Sequence, residues 1–276
     1  MVKRVHFREE LRDFFRFLRK PTLSRRPVER EAANSVFADW FGGLDVSRLL
    51  MWALFLWGIN LAVFGPLAAM AAGAAGAEHR LNLQNIPWLQ ALIWAPIVEE
   101  LVFRFGLRRP LLLFWVVPVA AVSMVSGPVW YSVSLVAIVS LLLIQPAFNR
   151  RKAIAHTKQG GAGDEQSVVG RVVQQVLGKQ RVPHGVLRIY RQHFVWVLYM
   201  STLAFAALHL YNFVFTRMPL WLLPLMVTPQ FVTGLVLAWM RVRRGIGAAI
   251  LLHGMFNGGP LLLVWLIIQF MPEMAA

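Results

Sequence analysis

The chain has 276 residues, of which 58% are apolar and only 15% charged, well below the roughly 25% charged content usual in soluble domains. A soluble fold this apolar would lack polar surface to cover itself, and the same composition, with 20 Gly and no Cys, excludes disordered, collagen-like and disulfide-framed classes. The formal charge of +15 suits either nucleic acid or an anionic membrane surface, so the placement of the charges must decide.

Residues 1–48 are basic and carry no cleavable signal, because charged residues run through the place of an apolar h-region. Phe7, Leu11, Phe14, Phe15 and Leu18 recur at helical spacing, with Arg8, Arg12, Arg16 and Arg19 among them. Two placements stay open for this amphipathic helix: in the membrane interface, or on the protein's own cytosolic loops. Seven apolar runs follow, at 49–76, 86–105, 110–126, 129–148, 194–215, 219–240 and 246–271. Each is close to the ~20 residues a spanning helix needs. The third and fourth are joined only by Gly127 and Pro128, which predicts a tight helical hairpin and leaves the count at six to eight. Between the fourth and fifth lies a basic insert, 149–193, with Gly160, Gly161 and Gly163 and then a helical pattern over 168–177. No internal repeat is evident.

The expected fold class is therefore all-α: a polytopic transmembrane helical bundle of about seven spans. It divides into a basic cytoplasmic N-terminal region (1–48), spans one to four (49–148), a basic cytoplasmic loop (149–193) and spans five to seven (194–276). Of the 28 Lys and Arg, 25 fall on one assigned side; Arg80 and Arg217 fall on the other, and Arg104 lies inside a span. The positive-inside rule then puts the N-terminus in the cytoplasm and the C-terminus outside. Anionic lipid headgroups are expected partners. Nucleic acid is not, because no interleaved basic and aromatic surface supports it.

Ionisable groups inside a span are costly, so each is a functional hypothesis. The second span ends on Glu99-Glu100-Leu101-Val102-Phe103-Arg104. Arg104 stands at i+4 from Glu100 and can neutralise it across one turn, leaving Glu99 to face a cavity. A carboxyl raised by burial and by a neighbouring carboxylate suits a general base, whereas an ion-paired cluster reaching for water is the bland reading. The fifth span carries Phe205-Ala206-Ala207-Leu208-His209, and the last carries His253-Gly254-Met255-Phe256-Asn257, with His253 and Asn257 on one face. At 1.5 Å per residue, Glu100 lies about 12 Å from Arg108 and His253 about 13 Å from Arg244; His209 lies roughly 24 Å from His193 unless its span starts later. Pro96, Pro224 and Pro229 are expected to kink their helices.

Together, in this order, the three signatures resemble the EExxxR, FxxxH and HxxxN motifs of the CPBP family (CAAX proteases and bacteriocin-processing enzymes, also called the abortive-infection family). The resemblance covers the second span and residues 194–260. One departure is the separation of 109 residues between Glu100 and His209, where the family usually has a few tens. The resemblance implies an intramembrane endopeptidase acting on a peptide or protein substrate, which in this family can be lipidated. It gives Glu99 the role of activating a water and His209 that of holding it. His253 and Asn257 would stabilise the oxyanion, while Glu100 and Arg104 orient the site. Two versions stay open. In the favoured one no metal takes part; in the other Glu99, His209 and His253 bind zinc, although HExxH is absent and the ligands would come from three helices. The alternative from another class is a non-proteolytic membrane scaffold, immunity protein or transporter using the same polar cluster. The family's abundance implies a bacterial cytoplasmic membrane.

Overall fold

The computed structural model describes residues 6–23, 36–42, 44–81, 85–157, 183–216 and 219–270. The helical pattern over 168–177 lies outside them.

The first helix, α1 (Phe7–Arg19), has Glu9 and Glu10 in its first turn and Arg16 and Arg19 in its last, the order a helix dipole favours. After α2 (Val36–Phe41) comes α3 (Val46–Ile59), whose N-cap Asp45 accepts a hydrogen bond from the Arg48 amide at 3.2 Å. A π turn, Asn60–Phe64, carries the chain on into α4 (Gly65–Ala74). The strand β1 (Ala77–His79) follows, then a second π turn, Gln90–Trp94, and α5 (Ala95–Phe103).

The two π turns share a cause. Pro66 and Pro96 lack an N–H, and their rings would collide with the carbonyl four residues back. In each case the residue before the proline reaches one residue further than usual: Gly65 N–H to Asn60 O, and Ala95 N–H to Gln90 O. Both prolines thereby sit inside continuous helices. The sequence pattern is the same at both places, an amide residue, four apolar residues, a small residue and proline.

A helical hairpin comes next, α6 (Leu113–Ser126) and α7 (Trp130–Thr157), turning at Gly127 with φ +71°. The rest is α8 (His184–Leu208), β2 (Phe213–Phe215), α9 (Leu223–Met226), α10 (Thr228–Arg243) and α11 (Ile246–Phe270). The strands β1 and β2 pair antiparallel, Glu78 opposite Val214.

Several boundaries differ from the sequence reading. α7 continues to Thr157 and α8 already begins at His184, so both ends of the 149–193 insert are helical extensions. The sixth apolar run is broken at Val227 into α9 and α10. The second run is a π turn plus nine helical residues. Among the described residues, three helical stretches are long and apolar enough to cross a membrane, Val46–Ala74, His184–Asn212 and Ile246–Phe270, with shorter apolar helices at Pro110–Ser126 and Trp130–Ile144. Outward-facing side chains such as Leu54, Met70, Phe114, Val125 and Trp196 are apolar and exposed, as contact with lipid requires. The protein is a helical membrane protein.

At the centre stands α10, where every residue from Thr233 to Arg243 is buried. α8 and α11 flank it, and α1 closes another side. Phe14 meets Trp52 and Trp239 edge-on, at centroid distances of 5.6 and 6.0 Å. α1 thus lays its apolar face on the bundle itself, while Arg8, Arg12, Arg16 and Arg19 face outward. Two of its acids turn to the bundle: Glu10 accepts from Trp52 Nε1 at 2.9 Å and pairs with Arg244, and Asp13 pairs with Arg243 at 2.9 Å. Asp39 of α2 pairs with Arg241 at 2.7 Å. Arg108 and Arg243 also donate to the carbonyls of Leu23 and Thr22. The arginines that end α5 and α10 therefore fasten the N-terminal segment to one end of the bundle.

Candidate active site

Four of the six candidate residues are in direct contact. Arg104 Nη1 donates to Glu100 Oε1 at 2.9 Å, one turn along the same segment, and both side chains are fully buried. His253, from α11, bonds to the same Glu100 oxygen through Nδ1 at 3.0 Å. Its other nitrogen, Nε2, stands 3.8 Å from Glu99 Oε2. The imidazole is thus bracketed by the two adjacent carboxylates, one tied to a cation and one not. The bond to Glu100 fixes the ring plane, so that Nε2 faces Glu99.

His209 joins through Phe205. It caps the C-terminus of α8, and its Nδ1 bonds to the Phe205 carbonyl at 2.9 Å. The Phe205 ring packs edge-on against both imidazoles, at 4.7 Å to His209 and 5.7 Å to His253. The Arg104 guanidinium lies 3.7 Å from its centroid. Gly234 of α10 makes room for this stack: a Cβ there would stand 3.0 Å from both Arg104 Nη2 and the Phe205 ring.

Asn257 is placed differently. Its Nδ2 donates to the carbonyl of Ala91, in the second π turn, at 2.9 Å. Sequence reasoning marked Asn257 by its spacing from His253 but had no signal for this partner. It also treated Phe205 as a motif letter and Pro96 as a kink.

Several site atoms have no hydrogen-bond partner among the described residues: Glu99 Oε2, Glu100 Oε2, and Nε and Nη2 of Arg104. Buried polar atoms of this kind are costly unless a polar ligand or water reaches them. Among the described residues, no group of three or more His, Asp or Glu side chains is placed to hold a metal ion.

Residues 167–259 match the family model of Type II CAAX prenyl endopeptidase Rce1-like proteins. This segment is Rce1-like. It takes in His209, His253 and Asn257, and agrees with the resemblance drawn from the three motifs. Glu99, Glu100 and Arg104 lie upstream of the Rce1-like segment and are joined to it by the Glu100–His253 bond. No curated protein and no solved structure matches the chain.

Proposed function

We propose that the protein is an intramembrane endopeptidase of the CAAX-protease type, hydrolysing a peptide bond with a water activated by Glu99. The observation that carries this reading is the imidazole of His253 held between Glu99 and Glu100 inside an apolar bundle. Glu99 Oε2 and His253 Nε2, at 3.8 Å, are close enough for one water to hydrogen-bond to both. In this reading Glu99 takes a proton from that water as it attacks the scissile carbonyl carbon, and returns it to the leaving amine. His253 polarises the water and then faces the oxyanion. Glu100 holds His253 by Nδ1, and Arg104 balances the charge of Glu100. His209, which keeps Nε2 free of the Phe205 carbonyl, contributes a second imidazole to the same intermediate.

The match of residues 167–259 supports, as the substrate class in this reading, a peptide prenylated near its C-terminus and presented from the bilayer. The charge distribution supports an orientation with the Arg-rich end in the cytoplasm, and the family's abundance in bacteria supports a bacterial inner membrane.

The test is cleavage of a fluorogenic prenylated peptide by the full chain reconstituted in lipid. Glu99→Gln is expected to lower kcat by about a thousandfold, the order set by loss of a general base. Cleavage that survives in both Glu99→Gln and His253→Ala would leave a scaffold or transporter as the better description.

A further inference from the structure

The reaction requires Glu99 at one height and one rotation on α5, and the segment that sets both is the second π turn. In a regular α-helix the Ala91 carbonyl would accept from the Ala95 amide. That amide bonds instead to Gln90 O. The next amide along belongs to Pro96 and has no hydrogen. The Ala91 carbonyl is therefore left without a donor from its own helix, and Asn257 Nδ2 supplies one at 2.9 Å.

Two further contacts show that this is a built interface. Gly254, one turn before Asn257 on α11, lies against the same π turn: a Cβ there would stand 2.7 Å from Leu92 O. The second is at Pro260, within α11, which deprives the Phe256 carbonyl of its donor in the same way. Trp57 Nε1 donates to Phe256 O at 2.9 Å. At both places a carbonyl freed by a proline is claimed by a side chain from the facing helix, as buried backbone oxygens require.

We infer that Asn257 is a positioning residue: one N–H of its amide holds the Ala91 carbonyl and locks the π turn that aims Glu99, while its second N–H is left over for the intermediate. Its catalytic consequence rests on the endopeptidase reading; its structural one does not. The geometry makes Pro96 and Asn257 a coupled pair. If residue 96 carried an N–H, the helix could satisfy its own carbonyls and the turn would no longer need the amide of Asn257.

The experiment is a double-mutant cycle on the full chain in vesicles of phosphatidylcholine and phosphatidylglycerol. It is read by amide hydrogen exchange over residues 88–103 and by kcat and KM on the fluorogenic prenylated peptide. Asn257→Ala alone is expected to speed exchange in the π turn by about tenfold and to lower kcat about thirtyfold, with KM within about twofold. On a Pro96→Ala background, adding Asn257→Ala is expected to change exchange by less than about twofold and to lower kcat by a clearly smaller factor than on the wild type. Equal losses of kcat on both backgrounds, with unchanged exchange, would overturn the inference. Should the double variant fail to fold, Asn257→Asp decides: it keeps the shape and loses the donor, so unchanged exchange overturns the inference. If the wild-type chain cleaves nothing, the endopeptidase reading fails, and the exchange data still decide the role of Asn257.

Discussion

Phe205 brings one aromatic ring against a guanidinium and two imidazoles. The ring supplies a negative face to Arg104 and edges to His209 and His253, so it sets three rotamers at once. Phe205→Leu keeps most of the volume and removes the π face. It is expected to cost about 1–2 kcal/mol in unfolding experiments and to lower kcat more than it raises KM. The two glutamates make a sharper contrast. Glu100 neutralises a fully buried Arg104, whereas Glu99 has no cation within bonding distance among the described residues. Glu100→Gln is therefore expected to destabilise the fold by about 3 kcal/mol, the cost of an uncompensated buried charge. Glu99→Gln should leave stability nearly unchanged while abolishing cleavage. Equal melting temperatures for the two variants would contradict this division. The pairing of Glu100 with Arg104 was legible in the spacing, because i and i+4 share a helix face. The arrival of His253 on Glu100 was not, because nothing in a sequence reports which face of α11 meets α5.

Among the elements, the prolines show where local reading stops. Pro66 and Pro96 are recognisable as helix disturbances, yet the sequence alone does not say whether the helix breaks, bends or widens. Here it widens, because Gly65 and Ala95 are small enough for the extra residue to be taken up in a π turn. α1 has a similar history. Its amphipathic pattern was plain, but the partner of its apolar face depended on Trp52 and Trp239, which are distant in sequence. Glu10 is fully buried between Trp52 and Arg244. Glu10→Ala is expected to lower stability by about 3 kcal/mol and to expose α1 to limited proteolysis. Asp45 gives a milder prediction at the start of α3. Its carboxylate accepts from the Ser47 hydroxyl and the Arg48 amide, which hold its pKa below the usual carboxylate value. A depressed pKa means that the capping contribution is present above the unfolded value and is lost as pH falls through the folded one. Asp45→Ala is expected to cost about 1 kcal/mol at neutral pH. The difference from wild type should shrink in strong acid, as followed by helix content against denaturant.

On the scale of the whole molecule, the apolar character and helical class were legible from composition, and the membrane assignment followed. Less legible was what the basic residues do. Arg108, Arg241, Arg243 and Arg244 count towards an orientation in the bilayer, but in the fold they also hold carbonyls and carboxylates of the N-terminal segment. The orientation itself is testable with little disturbance, since the chain has no Cys. Arg8→Cys and Glu78→Cys each create a unique label on an exposed residue. In inner-membrane vesicles and spheroplasts an impermeant thiol reagent is expected to reach them from opposite sides, Arg8→Cys from the cytoplasm. Labelling of both from one side would refute the span assignment. Finally, the contacts of α1 bear on how the protein is made. Asp13 closes onto Trp239 and Arg243, more than 220 residues later in the chain. α1 leaves the ribosome long before α10 and must therefore wait, undocked, until α10 has been synthesised and inserted. α1 is thus made early and docked late, and α10, with its buried arginines, stays uncovered on that side until it docks.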